Sequence, residues 1–316
     1  MPDKPLVSII TINYKQAEIT NELLNSLLYI TYPNYEVIVV DNNSGDDANR
    51  IDTGHWAVKL VRSNKNLGFA GGNNLGVLHA KGKYMFFLNN DTEIDSGCIE
   101  ELVSLLESDD AIGMVSPKII FYHSQEQKTI QYAGTNFMNY FTGRTTNESY
   151  KSLDQGQYDD IRETNHPHGA AMMLPMQTIR EVGLMPDIYF LYYEELDWAE
   201  RIKRAGYKIV YCGKAKIYHK ESMSVGKSNP RKVYYLNRNR LLFLRRNSGS
   251  FKSFVSFLFF TFIALPKNFF QLIATKKPEH AKSLISAYLW NLTHHKINVN
   301  PVLNKQNKII YENKKR

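Results

Sequence analysis

Four places in this chain carry residue types and spacings that could do chemistry. Asn89-Asn90-Asp91 directly follows the apolar run Tyr84–Leu88, so a strand end would deliver the Asp91 carboxylate into a crevice. A hard divalent cation prefers oxygen ligands and shares its remaining positions with phosphate oxygens and water. Asp91 suits that role, with the Asn89 carbonyl as a weaker helper. Asp41 ends a second apolar run, residues 35–40. There a carboxylate can accept an N–H from a nucleotide base, or equally serve as an Asx-turn or helix-cap aspartate. Glu194-Glu195-Leu196-Asp197 sets three carboxylates within four residues at a helix start. A helix N-terminus stabilises such charge, yet crowding raises at least one carboxyl pKa, which suits a general base. His219 follows an apolar strand and, taken alone, reads as a structural histidine as readily as a ligand. The glycine-rich stretch Asn66-Leu-Gly-Phe-Ala-Gly-Gly-Asn-Asn74 would let backbone approach a ligand closely. It lacks the G-x-G-x-x-G spacing of a dinucleotide fold, which argues against a nicotinamide-dependent dehydrogenase.

The elements needed to position these groups are legible in the hydrophobic pattern. Residues 6–12, 35–40, 58–61 and 84–88 are short apolar runs, and Ile19, Leu23, Leu24, Leu27 and Leu28 have helical spacing between the first two. Strands alternating with helices predict an α/β fold with a mainly parallel central sheet, whose ligands gather at the carboxyl ends of the strands. Thr11 and Asn13, Asp41, Asn66–Asn74 and Asn89–Asp91 all fall at such ends. Residues 121–165 are polar and Tyr-rich, predicting short strands and a loop. Residues 195–205 read as a helix stopped by Gly206.

Charge is unevenly placed. Residues 222–278 contain eleven Lys or Arg and no Asp or Glu; removing those eleven from 39 leaves 28 basic residues against 31 acidic. The net charge of +8 therefore belongs to one segment. With no nucleic-acid-binding motif there, and with Phe254, Phe257, Phe259, Phe260, Phe262, Phe269 and Phe270 close together, an anionic lipid surface is the better partner than nucleic acid. Lys252 and Lys267 bracket fourteen residues, fewer than the ~20 a membrane span needs. Interfacial attachment is expected rather than a crossing; a buried helix or a contact between copies is the alternative. Two cysteines, Cys98 and Cys212, give neither a disulfide framework nor a zinc site and fit a reducing cytoplasm. No signal-peptide pattern precedes the first strand.

In order along the chain, Val7-Ser-Ile-Ile-Thr-Ile-Asn-Tyr14, Val39-Val-Asp-Asn-Asn-Ser44, Asn66–Asn74, Phe87-Leu-Asn-Asn-Asp-Thr92, His168-Gly-Ala-Ala-Met-Met173, Tyr192-Tyr-Glu-Glu-Leu-Asp197, Arg204-Ala-Gly-Tyr207 and His219 resemble the family 2 glycosyltransferases of GT-A fold, particularly the bacterial rhamnosyltransferase subgroup. The resemblance implies a GT-A domain over residues 1–232, with a donor half to about 115 and an acceptor half over 116–232, then a basic, Phe-rich helical region over 233–316. It implies donor-base contacts at Thr11 and Asp41, and a donor loop containing Asn66, Gly68 and Asn73, with Asn13 and Asn90 beside it. Asp91 matches the metal-binding last acid of the family's DXD element, whose first acid is Asn89 here. His219 matches a histidine that completes the metal site in some members. Glu195 stands where the family usually has the aspartate base, leaving Glu194 and Glu195 both as candidates. Arg238, with Asn239, matches a pair that reaches the diphosphate. The implied activity is inverting, Mg²⁺- or Mn²⁺-dependent transfer from dTDP-rhamnose, or from a UDP-hexose, to a lipid-linked or polysaccharide acceptor; the alternative is a non-enzymatic sugar- or membrane-binding scaffold, against which the retained base, metal acid and histidine argue. The implied setting is the cytoplasmic face of a bacterial membrane.

Overall fold

The structure, a computed structural model, describes residues 4–54, 57–122, 128–135, 137–147, 149–220, 229–294 and 299–313. Residues 222–228 of the basic segment, including Lys227, lie outside the described residues.

The first half is built from β1 (Val7–Asn13), α1 (Ala17–Leu27), β2 (Tyr35–Asp41), β3 (Val58–Arg62), α2 (Gly68–Val77) and β4 (Tyr84–Leu88). There follow β5 (Thr92–Ile94), α3 (Cys98–Ser108), β6 (Ile112–Phe121), β7 (Ile130–Tyr132), β8 (Phe137–Asn139), β9 (Arg144–Thr146), β10 (Ile161–Glu163), β11 (Ala171–Pro175), α4 (Met176–Val182), α5 (Glu194–Arg204) and β12 (Lys208–His219). The last elements are α6 (Pro230–Asn247), α7 (Ser250–Phe259), α8 (Leu265–Ala274), α9 (Pro278–Thr293), β13 (Val299–Leu303) and β14 (Ile309–Asn313).

The main sheet runs β10-β12-β6-β11-β4-β1-β2-β3, with β5 on β12 and β7 on β6. As the alternating pattern predicts, β3, β2, β1 and β4 are parallel. β11 is antiparallel to both β4 and β6, so the second half of the sheet is mixed. Strands buried on both faces read as continuous apolar runs. One face packs Leu23, Leu102 and Tyr132, the other Ile10, Trp198 and Ile202.

Register does the positioning. Asn13 lies opposite Asp41, and Leu88 opposite Ala171, so the loops that follow β1, β2 and β4 and the turn that precedes β11 meet on one edge. Antiparallel pairing of β5 with β12 sets Thr92 opposite His219, one residue from Asp91.

Two features of the C-terminal region depart from the sequence reading. First, α7, a π-helical turn over Phe260–Ala264, and α8 form one continuous helix, Ser250–Ala274. It is long and apolar enough to cross a membrane by length and composition. The wider π turn precedes Pro266, which lacks an N–H to donate, and so accommodates a residue that would otherwise break the helix. One face, including Phe260, Leu265 and Phe269, packs on Leu241 of α6 and Leu284 of α9. The other leaves Phe251 at 74%, Phe262 at 72% and Phe270 at 69% exposure. Second, residues 233–316 are not helical throughout: β13 and β14 form a hairpin that returns to α4 and the Trp198 side of the main sheet. The Leu184 N–H donates to the Pro301 carbonyl at 2.8 Å, and Leu303 and Ile309 pack against the Trp198 layer.

Candidate active site

The carboxyl ends of β1, β2 and β4 and the start of α2 surround a cavity of about 200 Å³. Asn66, Gly68, Asn73, Asn89 and Asn90 line it. So do residues the sequence did not single out: Asn42, Phe190, Arg231 and Tyr235. Gly68 is obligatory, with φ of +71° and room for no more than hydrogen; a Cβ there would sit 2.3 Å from the Phe190 carbonyl oxygen. That same oxygen accepts the Phe69 N–H at 2.7 Å, locking the glycine-rich loop to the 187–193 loop. Asn42 Nδ2 donates to the Gly68 carbonyl. Asn42 Oδ1 and Asn73 Nδ2, an acceptor and a donor, are buried without hydrogen-bond partners in the protein. Unsatisfied buried groups are rare and point to a missing ligand or water.

Thr11, Asn13 and Asp41 form the layer behind this cavity rather than its lining. Asp41 accepts from Asn13 Nδ2 at 2.9 Å and from the Ser44 N–H at 3.1 Å, the turn-holding alternative that the sequence left open. Thr11 is fully buried, and its Oγ1 has no partner. Arg238 is also outside the lining. Its guanidinium donates to the carbonyls of Ile188 at 2.8 Å and Tyr189 at 2.6 Å, while Asn239 Nδ2 reaches the carbonyls of Tyr189, Leu191 and Tyr192. The Arg-Asn pair thus holds a loop, and the cation that does line the cavity is Arg231.

Beyond the cavity, Asp91 and His219 are both buried, with His219 Nε2 3.1 Å from Asp91 Oδ1. The other imidazole nitrogen, Nδ1, lies 2.7 Å from Gln131 Oε1 on β7. An amide oxygen only accepts, so Nδ1 donates to Gln131 while Nε2 faces the Asp91 carboxylate. A carboxylate and an imidazole nitrogen side by side are groups that can share a divalent cation, and Gln131 is the outer group that fixes the ring. Among the described residues no cluster of three or more His, Cys, Asp or Glu side chains is placed to hold a metal. The pair therefore leaves most coordination positions to phosphate oxygens and water. Asn89 lines the cavity, and its carbonyl accepts from Thr92 Oγ1 at 2.6 Å.

The candidate base is presented by a strained loop. Phe190, Tyr192 and Tyr193 have φ of 64°, 70° and 76°, unusual for residues other than glycine. Such strain costs ~1–3 kcal/mol per residue and persists only where surroundings over-determine it; the five bonds from Arg238 and Asn239 do so here. α5 starts at Glu194, immediately after this loop. Glu194 is buried, its Oε2 has no partner, and burial followed by the Glu195 charge pushes its pKa well up. Glu195 is partly exposed and abuts the His168-Gly169 turn, where a Cβ on Gly169 would lie 3.8 Å from Glu195 Cδ. Burial pushes its carboxyl up to about 7. The His168 ring stands 6.0 Å, centroid to centroid, from that of His219. Glu195 and the Asp91–His219 pair therefore flank the same turn, and Glu195 is better exposed to a reactant than Glu194.

The sequence model of the family described as Glycosyl transferase family 2 matches residues 8–174. The chain is 27% identical over 252 residues to the low-salt glycan biosynthesis hexosyltransferase Agl10 of Haloferax volcanii, covering 78% of this chain and 77% of that protein. Its fold is similar to that of the mannosyltransferase PcManGT from Pyrobaculum calidifontis, solved with GDP-Man and Mn²⁺, at a TM-score of 0.57 and 16% identity over 92% of this chain and 88% of that one. It is also similar to GalNAc-T7, solved with UDP, GalNAc and Mn²⁺, at a TM-score of 0.63 and 14% identity over 92% of this chain and 58% of that one.

Proposed function

Since the chain belongs to glycosyl transferase family 2 and is a glycosyltransferase, we propose that it moves rhamnose, with inversion, from dTDP-rhamnose to a lipid-linked or polysaccharide acceptor in surface-glycan synthesis. The observation that carries the mechanism is the placement of Glu195 and the Asp91–His219 pair on either side of the His168-Gly169 turn. Glu195 takes the proton from the acceptor hydroxyl as its oxygen attacks the anomeric carbon. The bond from that carbon to the donor diphosphate breaks, and the electron pair leaves on the nucleoside diphosphate. Asp91 and His219 would hold Mg²⁺ or Mn²⁺, which neutralises charge on the departing diphosphate when bound. The unpartnered Asn42 Oδ1 and Asn73 Nδ2 give one acceptor and one donor, the complement of a pyrimidine's N–H and carbonyl edge.

Thymine and uracil share that edge, so the donor is tested by nucleoside diphosphate release from dTDP-rhamnose and UDP-hexoses side by side. Faster turnover of a UDP-hexose would replace rhamnose in this reading. EDTA should abolish release and Mn²⁺ or Mg²⁺ restore it, with Asp91→Ala inactive even in excess metal; undiminished turnover in EDTA would remove the Asp91–His219 assignment.

The site of action in this reading is the inner face of the membrane, with the chain attached peripherally. A helix packed lengthwise on α6 and α9 can lie in the interface with Phe251, Phe262 and Phe270 inserted and Lys252 and Lys267 at headgroup level. The chain should sediment with anionic liposomes, less so at high salt, and failure to sediment with either anionic or neutral liposomes would dismiss the attachment.

A further inference from the structure

A second cavity, of about 270 Å³, lies where the β8–β9 turn meets α6 and the continuous helix of α7 and α8. Its charged lining is Arg144, Arg240 and Lys267, without a single carboxylate. Arg240 is held there rather than left to wave in solvent. Gly143, at φ +62°, comes so close that a Cβ would lie 2.8 Å from Arg240 Cγ, and the guanidinium stands 5.9 Å from the Phe260 ring centre. Its Nε is buried with no hydrogen-bond partner. Burial and the charge of Arg144 disfavour its protonated form, with only the Tyr193 hydroxyl opposing them. Like charges gathered at a buried, unpaired donor cost free energy unless an anion joins them.

The opposite wall is apolar. Phe259 and Ile263 line the cavity, yet they are 49% and 54% exposed and continue into the outward Phe262 face. A ligand that satisfies both walls has an anionic head and a hydrocarbon tail leaving toward the exposed helix face. The cavity is also tied to the base. The Gly143 carbonyl accepts the Tyr193 hydroxyl at 2.8 Å, and Tyr193 immediately precedes Glu194 and Glu195.

We propose that this cavity binds the phosphate end of a lipid-borne acceptor, with Arg240 and Arg144 on the phosphate and the hydrocarbon chain running out past Phe259 and Ile263. The assignment rests on the glycosyltransferase reading above and gives the acceptor a place to be held by its carrier, so that its sugar hydroxyl reaches Glu195 from the side opposite the donor.

Farnesyl phosphate is the probe, with farnesol and inorganic phosphate as its two halves, measured by calorimetry on the full chain. Farnesyl phosphate should bind, and each half alone should bind at least about tenfold more weakly. A hydrogen bond to a charged group contributes about 1.5–3 kcal/mol, so Arg240→Gln or Arg144→Gln should weaken farnesyl phosphate by roughly ten- to hundredfold. Lys276→Gln with Lys277→Gln, in the same basic segment but outside the cavity, should leave it unchanged. Arg144→Gln alters an exposed residue at the start of β9, so it keeps the test open should Arg240→Gln not fold. Equal binding of farnesol would make this an apolar groove, equal binding of inorganic phosphate would make it a free-phosphate site, and wild-type binding by both arginine variants would overturn the proposal outright. Donor hydrolysis without acceptor, followed in parallel, separates the two readings: release of nucleoside diphosphate with no farnesyl phosphate binding sinks the carrier site alone.

Discussion

The first turn of α5 holds carboxylates in opposite ways. Asp197 is fully buried and met by Arg246 Nε at 2.7 Å, the Tyr189 hydroxyl at 2.8 Å and Asn247 Nδ2 at 2.8 Å. Glu194 and Glu195, three and two residues earlier, form no salt bridge among the described residues, and burial raises both of their pKa values. Proximity in sequence therefore says little about role. A buried carboxylate with a cation is fixed and spent, whereas one without a cation stores the desolvation cost as basicity. The chain places the first kind against its C-terminal helices and the second against the crevice.

The sharpest way to break this comparison is to remove basicity while keeping shape. Glu195→Gln should lower transfer by about two to four orders of magnitude, with donor affinity nearly unchanged, and Glu194→Gln should cost less. A silent Glu194→Gln enzyme beside a normal Glu195→Gln one would exchange their roles. Asp197→Ala should act on stability instead. Removing one partner of a buried ion pair costs about 3–5 kcal/mol, here by stranding Arg246, and chemical denaturation should register it, while the fraction that stays folded keeps turning over. Loss of turnover without loss of stability would make Asp197 part of the chemistry.

The mildest test uses pH. A base must be ionised to act, so the transfer rate should climb with pH up to about 7, the Glu195 value, and level off above it. Stability should move the other way. The folded carboxyl holds its proton more tightly than the unfolded one, so stability that is complete below the ordinary glutamate value, 4.5, is lost as pH rises through about 7. Glu195→Gln should flatten that fall in the melting temperature, a readout independent of turnover.

Strand ends were legible in the sequence because buried apolar runs stop abruptly at Asn13, Asp41 and Asn89, and a strand that stops in polar residues opens onto a crevice. Side-chain direction was not. Asp41 and Arg238 have the right types for ligand contacts; the local sequence offered the Ser44 turn only as one of two readings for Asp41, and nothing local says that the carbonyls of residues 188 and 189 will claim Arg238. Arg231 and Phe190 reach the cavity from segments distant in sequence, with no periodic signal to announce it. Gln131 could have been found only through the register of β7 on β6. The closing hairpin was hidden by its Lys- and Asn-rich surroundings and by Pro301, a poor strand residue that is tolerated because this is a two-stranded ribbon.

That hairpin also has a bearing on time. The 187–193 loop, which presents the candidate base, is anchored by Arg238 and Asn239 and, farther out, by Pro301 to Leu184 and by the Tyr311 hydroxyl to Asp187 at 2.6 Å. Pro301 and Tyr311 lie more than a hundred residues downstream of the residues they secure. During synthesis the parallel strands β1 to β4 can collapse early, but contacts of such high sequence separation close last. The ribosome must therefore release the Phe-rich helix, the segment proposed above to meet the membrane, before the loop acquires its final clasp: the order of the chain exposes its apolar face before it finishes arming the site.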